Sequence, residues 1–124
     1  MLNKKVILVA EDQFDNFTLV QAYISKYYDI IHAENGAEAI EEIKHNATKI
    51  DAILMDIKMP LIDGIEATRE IRKLDYKKPI IALTAYAYPE EKIIALNAGC
   101  DYYLTKPISQ DTLLETLEMI LTTE

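Results

Sequence analysis

Cysteine is all but missing from this chain. A single residue, Cys100, among 124 excludes an internal disulfide, which fits a reducing cytoplasm, and Cys100 itself reads as a small buried hydrophobe. Long apolar stretches are missing too. No segment approaches the roughly 20 apolar residues of a membrane-spanning helix. The run Val6–Ala10 behind Lys4 and Lys5 is too short for a signal-peptide core and is closed by Glu11 and Asp12, so it reads as a buried strand. Positive charge is scarce: 13 Lys and Arg against 21 Asp and Glu leave a net charge of −8. That balance argues against direct nucleic-acid binding and against docking on an anionic membrane surface. The two histidines, His32 and His45, are not spaced as a metal pair and read as structural or solvated. No linker, repeat or low-complexity segment is visible.

What remains is an ordinary globular composition, 50% apolar and 27% charged, long enough to bury a core without staples. Residues 1–124 are expected to form a single domain, with no output domain after the last helix.

Apolar runs alternate with amphipathic ones. Strands are expected at Val6–Ala10, Asp29–Ala33, 52–55, 80–83 and 102–104. Helices are expected at 16–27, with Val20, Tyr23, Ile24 and Tyr27 on one face, at 37–46 and at 65–74. Asn35-Gly36 reads as a turn. A fourth helix starts at Pro89, where a missing N–H costs nothing, and stops at Gly99. Ser109 reads as the N-cap of a fifth, which buries Leu113, Leu114, Leu117, Ile120 and Leu121. Five successive βα units imply an α/β fold, a doubly wound parallel sheet with helices on both faces.

In open sheets of this kind ligands sit beyond the carboxyl ends of the strands. Those ends are polar here: Glu11-Asp12, Asp56, Thr84, and Thr105-Lys106-Pro107. Each residue alone suits a loop, a turn or a cap; together they place three carboxylates, a hydroxyl and an ammonium on one rim. Two carboxylates ~4 Å apart repel by roughly 4 kcal/mol at an effective dielectric of 20. Lys106 compensates one charge, and a hard divalent cation compensates the rest. An oxygen-only site suits Mg²⁺. A carboxylate can accept a phosphoryl group as an acyl phosphate, with the cation, Lys106 and Thr84 neutralising the transferring group.

The segments Asp56-Ile57-Lys58-Met59-Pro60-Leu61-Ile62-Asp63-Gly64, Leu83-Thr84-Ala85 and Thr105-Lys106-Pro107, with Glu11-Asp12, resemble the signature elements of response regulator receiver domains, the CheY-like superfamily. The resemblance covers essentially the whole chain. It implies a (βα)5 flavodoxin-like fold with strand order 2-1-3-4-5. It implies that Asp56 receives phosphate from a histidine kinase or histidine phosphotransfer protein. Glu11 (mainly through water), Asp12, Asp56 and the Lys58 backbone carbonyl would hold Mg²⁺ or Mn²⁺. It further implies a Lys106–Asp56 pair, a cis Lys106–Pro107 bond, a Thr84–Tyr103 switch, and tuning of phosphoryl lifetime by Lys58, Ala85 and Tyr86. The signal would pass to a downstream target or output domain through the fourth helix, fifth strand and fifth helix, a face that leaves a phosphorylation-dependent dimer open. The domain would modify only itself rather than act as an enzyme. The stretch 98–108 looks most like receivers of hybrid histidine kinases, so both a stand-alone regulator and a hybrid-kinase receiver stay open.

Three alternatives remain beside this reading. An aspartate-nucleophile phosphatase would want a DxD pattern after the first strand, where this chain has Glu11-Asp12-Gln13-Phe14-Asp15, and length for a cap. A flavin carrier would want a Ser/Thr/Gly-rich phosphate loop there. A degenerate receiver would act only as an interaction module.

Overall fold

The computed structural model describes residues 4–85 and 88–122. Tyr86, expected to tune phosphoryl lifetime, lies outside the described residues. Ten elements alternate: β1 (Val6–Ala10), α1 (Phe14–Ile24), β2 (Asp29–Ala33), α2 (Gly36–Asn46), β3 (Ala52–Asp56), α3 (Gly64–Lys73), β4 (Ile80–Thr84), α4 (Pro89–Ala98), β5 (Tyr102–Thr105) and α5 (Gln110–Thr122). The strands are parallel, in the order β2-β1-β3-β4-β5.

Burial follows from that order. The inner strands β3 and β4 are buried at every position, and β1 at all but its first. This is why their sequences are continuously apolar rather than alternating. The edge strands β2 and β5 are only partly covered. Two apolar layers result. Leu8, Ile53, Met55, Ile80 and Ala82 face α2, α3 and α4; Ile7, Val9, Leu54, Ile81 and Leu83 face α1 and α5. From α5, Leu113, Leu117, Ile120 and Leu121 are buried, each contributing about 1.5–3 kcal/mol of apolar burial; Leu114 is only half-buried.

Several boundaries differ from expectation. The first helix stops at Ile24, and Tyr27 lies beyond it, 50% exposed, instead of on its inner face. Nothing in that sequence breaks a helix; the chain must turn there to start β2, and Asp29 N–H donates to the Lys5 carbonyl at 3.0 Å. Asn35 is not a turn residue but the N-cap of α2, its Oδ1 accepting from Glu38 N–H at 2.8 Å. Asx side chains serve both turns and caps, and only the following helix separates them. Ser109 does cap α5, its Oγ accepting from Thr112 N–H at 3.1 Å. Gly99 ends α4 with φ 123°, a conformation that favours glycine.

One side chain binds the second half of the sheet together. Arg72, near the end of α3, donates to the Gly99 carbonyl through Nε (3.0 Å) and Nη2 (2.8 Å). Its Nη1 reaches the carbonyls of Tyr76 (2.7 Å) and Lys78 (2.8 Å), and its Nη2 reaches Asp101 Oδ2 (2.9 Å). Asp101 in turn accepts from Ile80 N–H at 2.9 Å. Cys100 is buried beside Thr68. Among the described residues, no helix is long and apolar enough to cross a membrane.

Candidate functional site

Because all five strands run the same way, their carboxyl ends share one edge, and the polar residues that close the apolar runs meet there. At the end of β1 the ladder holds Glu11 by its backbone: its N–H donates to the Ala33 carbonyl at 3.0 Å. The Glu11 side chain is 2% exposed. Its Oε1 accepts from Lys106 Nζ at 3.0 Å and its Oε2 from Gln13 N–H at 3.2 Å. Asp12 is half-buried, and its Oδ1 is buried without a hydrogen-bond partner among the described residues. Asp56 is the last residue of β3, 4% exposed, with Oδ1 3.3 Å from Lys106 Nζ. One carboxylate oxygen each from Glu11, Asp12 and Asp56 lies within 4.8 Å of the others.

Burial pushes the Asp56 carboxyl up to about 7 from the ordinary 3.8, and the neighbouring Glu11 charge raises it further than Lys106 lowers it. Desolvation outweighs the ammonium because that ammonium is divided between two carboxylates. Lys106 reaches the pair from the loop after β5, and the Lys106–Pro107 peptide is cis, as the resemblance implied.

The start of α3 closes the site from below. Gly64 N–H donates to the Ile57 carbonyl at 2.8 Å. A Cβ at Gly64 would lie 2.3 Å from the Asp56 carbonyl oxygen, so only glycine lets the helix approach the backbone of Asp56 this closely. Asp63 caps the same helix, accepting from Glu66 N–H at 2.9 Å.

Thr84 ends β4 and is fully buried, while Ala85 is exposed. Tyr103 sits on β5 against the core layer of α2–α4. Burial raises its phenol's pKa, the Glu91 charge adds to the rise, and a hydrogen bond with Thr84 opposes it. The same hydrogen bond brings the side chains of Thr84 and Tyr103 together. Lys58, two residues beyond Asp56, points an exposed side chain toward α4, its Nζ 3.9 Å from Glu91 Oε1.

Every expected site residue among those described thus lies on one rim or next to it. Two contributors were not anticipated. Glu91 meets both Lys58 and Tyr103, but in sequence it is one of two acids in the first turn of a helix, where acids also simply complement the dipole. His32 donates from Nε2 to the Glu11 carbonyl at 2.8 Å. A bond to backbone leaves no trace in sequence. His45 is exposed beside Glu41.

The donor set fits a hard divalent cation. It offers three clustered carboxylates, the Lys106 ammonium shared between two of them, and a buried Asp12 oxygen that no group among the described residues hydrogen-bonds. An all-oxygen set with few protein ligands suits Mg²⁺ or Mn²⁺.

Fold and site together define a class: doubly wound α/β domains whose chemistry is carried by acids at the strand ends. Within that class the sequence is specific. The family model for the response regulator receiver domain matches residues 7–118, and the chain belongs to that family, the receiver domains of two-component phosphorelay signalling. It is 40% identical to hybrid signal transduction histidine kinase I of Dictyostelium discoideum, over 94% of this chain but only 7% of the kinase. It is 37% identical to the chemotaxis protein CheY of Halobacterium salinarum, over 96% of this chain and 98% of that protein. Among solved structures, the receiver domain of the sensor histidine kinase PA1611 from Pseudomonas aeruginosa superimposes with a TM-score of 0.90 at 34% identity, covering 98% of this chain and 100% of that one. That receiver carries a magnesium ion coordinated in its active site cleft.

Proposed function

We propose that this receiver is a phosphoacceptor switch in which Asp56 takes a phosphoryl group from a phosphohistidine of a histidine kinase or histidine phosphotransfer protein. The observation that carries the reading is the meeting of Asp56, Glu11, Asp12 and Lys106 within one buried cluster. In the transfer an Asp56 carboxylate oxygen attacks phosphorus, the phosphorus–nitrogen bond of the donor breaks, and its electron pair stays on the imidazole. Water later attacks the acyl phosphate and returns the carboxylate and inorganic phosphate. The domain thus modifies and restores only itself.

Glu11, Asp12, Asp56 and the Lys58 backbone carbonyl would hold the cation, which when bound neutralises charge on the phosphoryl oxygens. Lys106, shared between Glu11 and Asp56, turns its ammonium to the new phosphoryl oxygens. Thr84 gives up Tyr103 and donates its hydroxyl to one of them. The exposed Ala85 leaves access to Asp56, and Lys58 and Tyr86, two residues after Asp56 and Thr84 in sequence, would tune how long the phosphoryl group lasts. A cytoplasmic location accords with the single cysteine and the absence of a spanning helix among the described residues.

Incubation with a small acyl-phosphate donor and Mg²⁺, followed by intact-mass measurement, should show one phosphate adduct. It should disappear in Asp56→Asn and in excess chelator. An adduct that persists in Asp56→Asn overturns the assignment, and no adduct under any condition supports a degenerate receiver instead. Continuous turnover of a generic phosphomonoester would favour a phosphatase.

A further inference from the structure

We infer that His32 is a positioning residue for the acidic pair, setting the direction of Glu11 and Asp12 through the backbone carbonyl of Glu11. The inference rests on the reading of that pair as a divalent-cation site.

His32 lies on the edge strand β2 in register with Val9, and its side chain leaves the sheet toward α1. There its ring stacks on Phe17, with centroids 3.6 Å apart and planes 10° from parallel. The stack fixes the imidazole plane and aims Nε2 at the Glu11 carbonyl, 2.8 Å away. A carbonyl oxygen only accepts, so Nε2 carries the hydrogen and donates. The Glu11 N–H is meanwhile held by Ala33 of the same strand. β2 therefore grips Glu11 on both sides, by N–H through its backbone and by C=O through its histidine.

That carbonyl belongs to the peptide plane joining Glu11 to Asp12. The Glu11 side chain has its own restraints, Lys106 and the Gln13 N–H. For Asp12, no group among the described residues hydrogen-bonds the buried Oδ1, so no such bond aims that oxygen at the cation. The peptide plane is the base from which the Asp12 side chain springs, and His32 holds that plane by its carbonyl. Groups that orient ligands in this way are typically worth roughly 10–100-fold in metal affinity. The competing explanation is that His32 merely fills space against Phe17, and the two make opposite demands. Positioning needs the Nε2 donor; packing needs only the ring.

The test is Mg²⁺ affinity by calorimetric titration of the wild-type chain and three variants. His32→Phe keeps a ring for the stack and removes the donor. His32→Gln carries an amide nitrogen the same number of bonds from the backbone as Nε2. His32→Met has the same reach and no donor. His32→Phe and His32→Met should bind Mg²⁺ at least about tenfold more weakly, and His32→Gln should recover most of the loss. At saturating Mg²⁺ all three should reach wild-type extents of Asp56 labelling. Wild-type affinity in His32→Phe overturns the inference, and so does an equal loss in His32→Gln and His32→Met. Should His32→Phe fail to fold, the Gln and Met comparison decides alone. A wild-type chain that binds no Mg²⁺ would overturn the cation site itself, a result separate from any difference among the variants.

Discussion

Asp56 is an acid that the fold holds against ionisation, and this shapes stability as well as chemistry. Its carboxyl has an ordinary value of 3.8 and sits at about 7 in the folded chain, chiefly through burial and then through Glu11. Between those values the native state binds a proton that the unfolded chain has released. Its contribution to stability is therefore intact at acidic pH and is lost as pH rises toward and through about 7. Urea unfolding without divalent metal should show stability falling from about pH 5 to about pH 8, and Asp56→Asn should flatten most of that slope. A slope unchanged in Asp56→Asn would place the titration elsewhere. Because a cation must displace the same proton, Mg²⁺ affinity should rise across this range. The identity of the acids was legible in the sequence, since each closes an apolar run in a βα unit. Their energetics were not, because the raised value depends on burial and on Glu11 lying across the sheet. The role of His32 was hidden for a related reason: its partner is a backbone carbonyl, which every residue has.

At the level of elements, the site depends on how closely α3 approaches β3. Gly64→Ala would force a Cβ to within 2.3 Å of the Asp56 carbonyl, and the helix start would have to move. Overpacking of this kind typically costs about 1–3 kcal/mol. The variant should lose that much in urea unfolding and label more slowly at Asp56, whereas a variant of wild-type stability and rate would show the approach to be soft. Arg72 ties α3 to the strands beyond it by bonds to three carbonyls and one carboxylate. Lysine lacks the planar fork that serves several acceptors at once. Arg72→Lys should thus cost at least about 2 kcal/mol, given that charge-assisted hydrogen bonds contribute about 1.5–3 kcal/mol each. Equal urea midpoints would sink this. In the sequence, element order and type were readable from the alternation of apolar runs. The end of α1 and the role of Asn35 were not, because turn and cap draw on the same residue types and tertiary pairing decides between them.

Across the whole molecule, the site is wired to a surface. Thr84 bonds Tyr103, Tyr103 feels the charge of Glu91, and Glu91 pairs with Lys58 from the loop beside Asp56. Glu91 sits on α4, whose outer face leaves Ile93, Ile94 and Leu96 exposed, with Tyr88 before it and Tyr102 on β5 also exposed. Under the proposed function, a phosphoryl group that drew Thr84 away would release Tyr103 and, through it, α4. Ligand-driven change needs a two-state element of this sort. With beryllofluoride as phosphate mimic, amide shifts should change around Asp12, Asp56 and Lys106 and also along α4 and β5. In Thr84→Ala the second set should fall silent while the first persists. Changes on α4 that survive Thr84→Ala would show another route.

The strand order also carries a timetable. β3 pairs with β1, β4 with β3, and β5 with β4, so a chain emerging from the ribosome can extend its sheet one strand at a time onto an edge already made. Domains commonly begin folding in this direction during synthesis. Lys106, beyond the last strand, arrives after Glu11 and Asp56 are already in place, and the apolar stripe of α5 arrives later still. Until then the nascent domain holds two acids without their ammonium and an uncovered layer of Val9, Leu54 and Leu83. The segment from Lys106 through α5 therefore follows in synthesis every strand it completes, and it turns an unfinished sheet into a finished one.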